Sequence, residues 1–440
     1  MKLRTKFASA TAMTLLMSGA AMADEITIAT VNNADMIVMQ ELAPQWEEAT
    51  GNTINWVVLE ENVLRQRTTQ DISTNGGSFD IMFIGAYETP IWGANGWLEP
   101  LNDFADDADY DLEDVFQLVR NGLSDTEGNL YALPLYSETS FTYYRTDVFA
   151  EKGIAVPEGQ PTYDEFMEMA KAAHDPENEM YGTCQRGKAG WGENMAFVGT
   201  LANAFGARWF DMDWQPQLDS EEWNNAITYY VELMNNYGPP GASSNGHNEN
   251  RALFKDGKCA TWVDATSAAT DVKNPETSSV ADVTDFFKAP QQVTDKGTGW
   301  FWSWALAIPA SSNNKDAAKD FLKWATSKEY FQLVGETKGW VAVPSGTRQS
   351  VEQDERRLEA APFAATIVDA ILSVDPADPS AQPVPYTGVQ FVAIPEFQGI
   401  GNYVGQQVAA ALTGQQTVEE ALANSQNFAV REMTKAGYIK

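Results

Sequence analysis

"EITIATVNNADMIVMQELAPQWEEATGNTINWVVLEENVLRQRTTQDISTNGGSFDIMFIG", residues 25–85, decides the fold. "EITIATV" (25–31) alternates as a strand does, and the polar turn "NNAD" follows it. "MIVMQELAPQWEEATG" has helical spacing with Gly51 as a stop, and "TINWVVLE" (53–60) is a second strand. "ENVLRQRTTQDISTNGG" reads as a helix ending at glycines, and "FDIMFIG" (79–85) as a third strand. Strand, helix, strand, helix, strand at this spacing predicts a parallel, doubly wound α/β sheet. Ligands bind beyond the carboxyl ends of such strands. Those ends carry Asn32, Asn33 and Asp35; Glu60 and Glu61; Tyr87 and Glu88.

Further sheet pieces are expected in "ALPLYSETSFTYYRTDVF" (132–149) and "CATWVDAT" (259–266), whose ends add Tyr136, Glu138, Trp262 and Asp264. "TYDEFMEMAKAAH", "SEEWNNAITYYVELMNNYG", "NKDAAKDFLKWATSKEYFQLVGE" and the terminal "TVEEALANSQNFAVREMTKAG" read as helices. The proline-rich "VDPADPSAQPVPYTG" (374–388) reads as a surface excursion. "GWFWSWALAIP" (299–309) would, as a strand, put Trp300, Trp302 and Trp304 on one face. It is either a heavy piece of core or the wall of a site.

The chain opens with basic Lys2, Arg4 and Lys6, an apolar run from Phe7 to Met17, and a small-residue "AMA" ending at Ala23. That pattern predicts a secretory signal over 1–23, too short to anchor permanently in a bilayer, and an exported protein. No cysteine stands at the cleavage point to accept a lipid. Removing the three basic residues takes the formal charge from −32 to −35. Such acidity argues against nucleic acid, which needs clustered Lys and Arg, and against anionic membrane surfaces. About 415 mature residues exceed one core and predict two lobes. Cys184 and Cys259 are the two cysteines, and an oxidising compartment would allow one bond between them, which the sequence leaves open.

His174 and His247 both sit in polar, loop-like surroundings without ligand spacing to each other or to a cysteine. A Ser–His–Asp triad, a zinc site and a resident cofactor are therefore not expected, and no Walker or dinucleotide fingerprint is present. "DADYDLED" (107–114) has the first aspartate spacings of a calcium loop. It has Leu112 and Leu118 where the turn glycine and bidentate glutamate belong, so it reads as a solvated acidic turn. Glycoside hydrolysis needs two carboxylates across a scissile bond, and this chain's abundant acids make that the competing enzymatic reading. Carbohydrate or polyol binding asks for less. Each hydroxyl both donates and accepts, so carboxylates, Arg and amides at the strand ends can pair with it.

"GNLYALPLYSETSFTYYRTDVF", "GTCQRGKAGWGEN", "ATWVDATSAA", "GWFWSWALAIPASSNNKDAAKDFLKWATS" and "GVQFVAIPEFQGIG" resemble the periplasmic solute-binding proteins of ABC importers. The resemblance is to the maltose-binding class, and within it to the sorbitol/mannitol binders. It spans essentially the whole mature chain. It implies two α/β lobes, each a mostly parallel sheet flanked by helices, with the ligand in a cleft at the hinge. Hinge closure in such proteins is an established type of transition. The lobes would be 24–136 with 299–335, and 137–298 with 336–440.

Carried over residue by residue, the resemblance points to Asn33, Glu61, Arg65, Tyr87, Glu88, Tyr136, Glu138, Arg186, Trp191, Trp262, Asp264, Trp302, Trp304 and Trp340 as ligand contacts. Trp302 would be the foremost aromatic contact, Trp304 the next, and Trp300 hinge packing. The extra carboxylates lean towards a linear polyol, with a mono- or oligosaccharide as the alternative. The implied protein is a periplasmic, non-enzymatic monomer that delivers its ligand to a membrane permease.

Overall fold

The computed structural model describes residues 23–440, so all but the last residue of the expected signal segment lies outside the described residues. Among the described residues, nine strands form two sheets: β1 (Glu25–Val31), β2 (Thr53–Leu59), β3 (Ile81–Gly85), β4 (Ala132–Glu138), β5 (Ser140–Arg145), β6 (Tyr181–Thr183), β7 (Cys259–Ala265), β8 (Thr284–Lys288) and β9 (Trp302–Ala307). The first sheet has the order β2-β1-β3-β9-β4 and the second β6-β7-β5-β8. The opening segment folds as its pattern predicts, with β1 parallel to both β2 and β3.

The sheets are mixed, not mostly parallel. In the first, β9 runs antiparallel to β3 and β4; in the second, β5 runs antiparallel to β7 and β8, and only β6 and β7 are parallel. The cause is the path between lobes. β4 leaves the first sheet and continues through Thr139 into β5, while β9 returns from the second lobe, so the outgoing and incoming strands oppose each other. A third segment also meets this crossing: Ser137 N donates to Ser345 O, and Phe116 N to Thr347 O.

Two local readings change. "NKDAAKDFLKWATSKEYFQLVGE" is two helices, Lys315–Thr326 and Lys328–Lys338, because Ser327 leaves the helical conformation and its hydroxyl caps Tyr330 N at 3.1 Å. The acidic turn 107–114 is not merely solvated. Asp107 takes Lys323 at 2.5 Å, Asp111 takes Lys328 at 2.6 Å and Asp114 faces buried Arg348 at 3.4 Å. Among the described residues, no helix is long and apolar enough to cross a membrane.

Cys184 and Cys259 are bonded to each other, joining the end of edge strand β6 to the start of β7. They close a loop with a sequence separation of 75. Restricting the unfolded chain over such a loop is worth about 4 kcal/mol. Replacing both cysteines by alanine should therefore lower the unfolding free energy by about that amount in a denaturant titration. A loss near zero would mean that the bond contributes nothing to the folded state.

Candidate functional site

The cleft between the sheets is lined from the first lobe by Asn33, Asp35, Glu60, Glu61, Arg65 and Tyr136, at the ends of β1, β2 and β4. From the crossing come Glu138, Trp300, Trp302 and Trp304. The second lobe adds Arg186, Lys188, Trp191, Glu193, His247, Arg251 and Ser267, and Gln390 completes the wall.

Asn33 caps the helix Ala34–Leu42, its Oδ1 accepting from Met36 N at 2.9 Å, while its Nδ2 donates to the Tyr136 hydroxyl at 2.6 Å. The cap and the site role coexist in one side chain. Asp35, in the first turn of that helix, is 7% exposed. Burial, resisted by Arg251, pushes its carboxyl up to about 7.

Arg65 is the centre of the first-lobe wall. Its Nε and Nη2 donate to Glu61 Oε1 at 3.1 and 2.8 Å, and its Nη1 to Glu88 Oε1 at 2.5 Å. Glu88 in turn accepts from Gly85 N at 3.1 Å. The guanidinium lies 4.0 Å from the Trp191 ring centroid, 4.9 Å from Trp302 and 5.1 Å from Trp304. Trp302 reaches this position by lying across the end of β3, where a Cβ on Gly85 would stand 2.0 Å from its ring. Trp304 stacks on Phe83 at 4.8 Å. The indole wall therefore holds one of the protein's own cations.

Arg186 plays the matching part in the second lobe. Asp264 accepts its Nε and Nη2 at 2.8 and 2.5 Å, Gly192 O accepts from Nη1 at 2.8 Å, and the Trp300 ring centroid lies 5.4 Å away. Asp264 has no exposed surface and also accepts from His247 Nδ1 (2.8 Å), Trp262 Nε1 (3.0 Å) and Ala265 N (2.7 Å). Burial alone would raise its carboxyl, but Arg186 and His247 hold it well below the usual carboxylate range. Glu138, at the end of β4, accepts from Ser267 Oγ at 2.5 Å. Burial pushes Glu138 up to about 8, and burial beside Glu61 does the same to Glu193.

Of the residues expected from sequence, Asn33, Glu61, Arg65, Tyr136, Glu138, Arg186, Trp191, Trp302 and Trp304 meet in the cleft wall. Glu88, Trp262 and Asp264 stand one layer behind it, holding Arg65 and Arg186. Tyr87 joins the lobes directly, its hydroxyl donating to Ile394 O at 3.0 Å while its ring packs on Trp191. Trp340 lies elsewhere, under the guanidinium of Arg356 at 4.1 Å. Trp300 lines the cleft as well as the hinge. Lys188, Glu193, Arg251, Ser267 and Gln390 also line the cleft without a sequence signal, as does His247, which lacks ligand spacing to the other histidine or to a cysteine. Its polar turn "SNGHNEN" opens the helix His247–Lys255. Among the described residues, no group of three His, Cys, Asp or Glu could hold a metal ion.

A family profile described as bacterial extracellular solute-binding protein matches residues 32–330. The mannitol-binding protein of Pseudomonas aeruginosa is 54% identical over 434 residues, covering 98% of each chain. An ABC transporter solute-binding protein from Agrobacterium vitis, solved with bound D-mannitol, is 53% identical with a TM-score of 0.93, covering 95% of this chain and 100% of that one. A solute-binding protein from Agrobacterium radiobacter, solved with ribitol, shares the fold at 24% identity and a TM-score of 0.81, covering 92% and 98%.

Three raised carboxyls in one cleft have a consequence for stability. Asp35, Glu138 and Glu193 keep their protons in the folded state to about pH 7–8, whereas the unfolded chain releases them near its ordinary values. Their contribution is present below about pH 4 and lost as pH rises through 8. Asp264 acts oppositely, contributing above its ordinary value and losing that contribution in acid. Thermal melts of the ligand-free protein should therefore peak near about pH 5 and fall towards pH 8.5, less steeply in Glu138→Gln. A Glu138→Gln curve parallel to the wild type would remove Glu138 from this account.

Proposed function

The chain belongs to the bacterial extracellular solute-binding proteins, and we propose that it captures a linear sugar alcohol of the mannitol or sorbitol type for an ABC importer. The observation that carries this reading is Arg65. Its guanidinium occupies the space before Trp191, Trp302 and Trp304, so the indoles are engaged by a protein cation. A pyranose gains much of its affinity by laying a flat C–H face on an aromatic ring. A linear polyol has no such face and is recognised through its row of hydroxyls.

The cleft is built for that row. Asp35, Glu61, Glu138 and Glu193 offer carboxyl oxygens, and Arg251 and Lys188 offer N–H donors. Each polyol hydroxyl can answer either kind of group. The names of two relatives agree in ligand chemistry: one is called a mannitol-binding protein and the other was solved with D-mannitol.

The protein works in the periplasm without catalysing a reaction, and its liganded form is what a membrane permease recognises. Glu88 and Glu138 do not form a hydrolytic pair in this reading, because Glu88 is committed to Arg65 and Gly85 N.

A thermal-shift panel of hexitols, pentitols, hexoses and disaccharides tests the assignment. A ligand that binds only the folded state at 100 times its Kd adds about 2.7 kcal/mol, a rise of several degrees. D-Mannitol or D-sorbitol should give that rise, and cyclic hexoses should not. Strong stabilisation by disaccharides with none by hexitols would overturn the polyol reading, and release of product from a glycoside would overturn the non-enzymatic one.

A further inference from the structure

We propose that His247 is a ligand-contacting residue, presenting its Nε2 as a hydrogen-bond acceptor to a ligand hydroxyl, and that Asp264 is the positioning residue that fixes this polarity. The inference rests on a hydroxyl-bearing ligand in the cleft. His247 lines that cleft from the first turn of the helix His247–Lys255. Its ring packs on Trp262, 5.6 Å between centroids, and its Nδ1 lies 2.8 Å from Asp264 Oδ1. The two nitrogens of an imidazole point in divergent directions. With Nδ1 turned to a carboxylate that has no exposed surface, Nε2 stands on the other side of the ring, and it makes no hydrogen bond to a described residue.

The geometry also fixes where the proton sits. Asp264 is bonded by both Arg186 nitrogens and is ionised, so it can only accept, and the short contact requires the hydrogen on Nδ1. Arg186 Nη2 carries two hydrogens: one goes to Asp264 Oδ1 at 2.5 Å, and the other finds no lone pair on the protonated Nδ1, 3.3 Å away. The charged and titratable groups around His247 are Asp264 on β7, Arg186 after β6, Arg251 on its own helix, and Glu193, whose carboxyl accepts from His247 N at 3.1 Å. Burial together with the two arginines outweighs Asp264, so the imidazole stays neutral below its ordinary pKa. A neutral ring protonated at Nδ1 has a bare lone pair at Nε2. Most other nitrogen groups of the cleft wall are donors, so His247 supplies an uncharged acceptor between Arg186 and Arg251.

The chain has two histidines, so nitrogen-15 spectra of the imidazoles can be read directly. His247 should carry its proton on Nδ1, and saturating D-mannitol should move its Nε2 signal while leaving His174 unchanged. Asp264→Asn can donate an amide N–H to Nδ1, which would transfer the ring proton to Nε2 and weaken D-mannitol binding about tenfold. His247→Gln, whose amide oxygen reaches the Nε2 position, should keep more affinity than His247→Ala. A wild-type proton on Nε2, or an Nε2 signal unmoved by bound D-mannitol, overturns the inference and leaves the polyol reading standing. These wild-type spectra decide the matter even if Asp264→Asn fails to fold. If no polyol stabilises the wild type, the polyol reading falls and this inference with it.

Discussion

A guanidinium taken out of water must have its N–H groups and its charge answered, and Arg65 imposes that demand between the two lobes. Leaving such a group unpaired costs about 3–5 kcal/mol, so its partners are not free to vary independently. Glu61 comes from its own helix, Glu88 from the turn after β3, Trp302 and Trp304 from the returning strand, and Trp191 from the second lobe. Gly85 belongs to the same set, because only without a Cβ can the Trp302 ring lie where Arg65 needs it. One buried charge therefore explains residues from four separate stretches of sequence.

The lobes also touch each other directly around the cleft. Glu60 takes Lys188 at 2.7 Å, Asn62 donates to Ala189 O at 3.2 Å, and Thr69 meets Gln398 at 3.2 Å. These contacts are at the rim and partly solvated, where an ion pair contributes about 0–1 kcal/mol. The Arg65–Trp191 contact and the Tyr87 hydroxyl on the 394–395 carbonyls are better shielded. A ligand that bonds both walls adds to these contacts and so shifts the balance between open and closed forms.

The first sheet was legible because its pattern is local: alternation, helical spacing and glycine stops lie within 25–85. The direction of β9 was not, since it follows from a return through the hinge rather than from its own residues. For the site, the polar residues at the strand ends line the cleft, yet sequence does not separate a residue in the wall from one bracing it. Asp264 and Trp262 lie on a strand whose end reaches the wall, which by sequence makes them look like contacts, but Asp264 makes its bonds to Arg186, His247 and Trp262. Its partner His247 has no ligand spacing to the other histidine or to a cysteine, so the local sequence carries no sign of its place. The pairing that matters joins residues 17 apart in sequence.

The three tryptophans and the raised carboxyls belong to one economy of burial. The indoles stabilise cations by their faces, which keeps Arg65 and Arg186 ordered beside a cleft with an excess of acid. Asp35, Glu138 and Glu193 are then held where charge is disfavoured, which lowers the stability of the folded protein at neutral pH. A polyol can relieve that state in either direction, since a hydroxyl donates to a carboxylate and accepts from a carboxylic acid. A fixed cation or anion as ligand would suit only one protonation state. The acids that cost the protein stability are thus the groups best matched to a neutral ligand with many hydroxyls, and the overall charge of −32 is not needed to explain them.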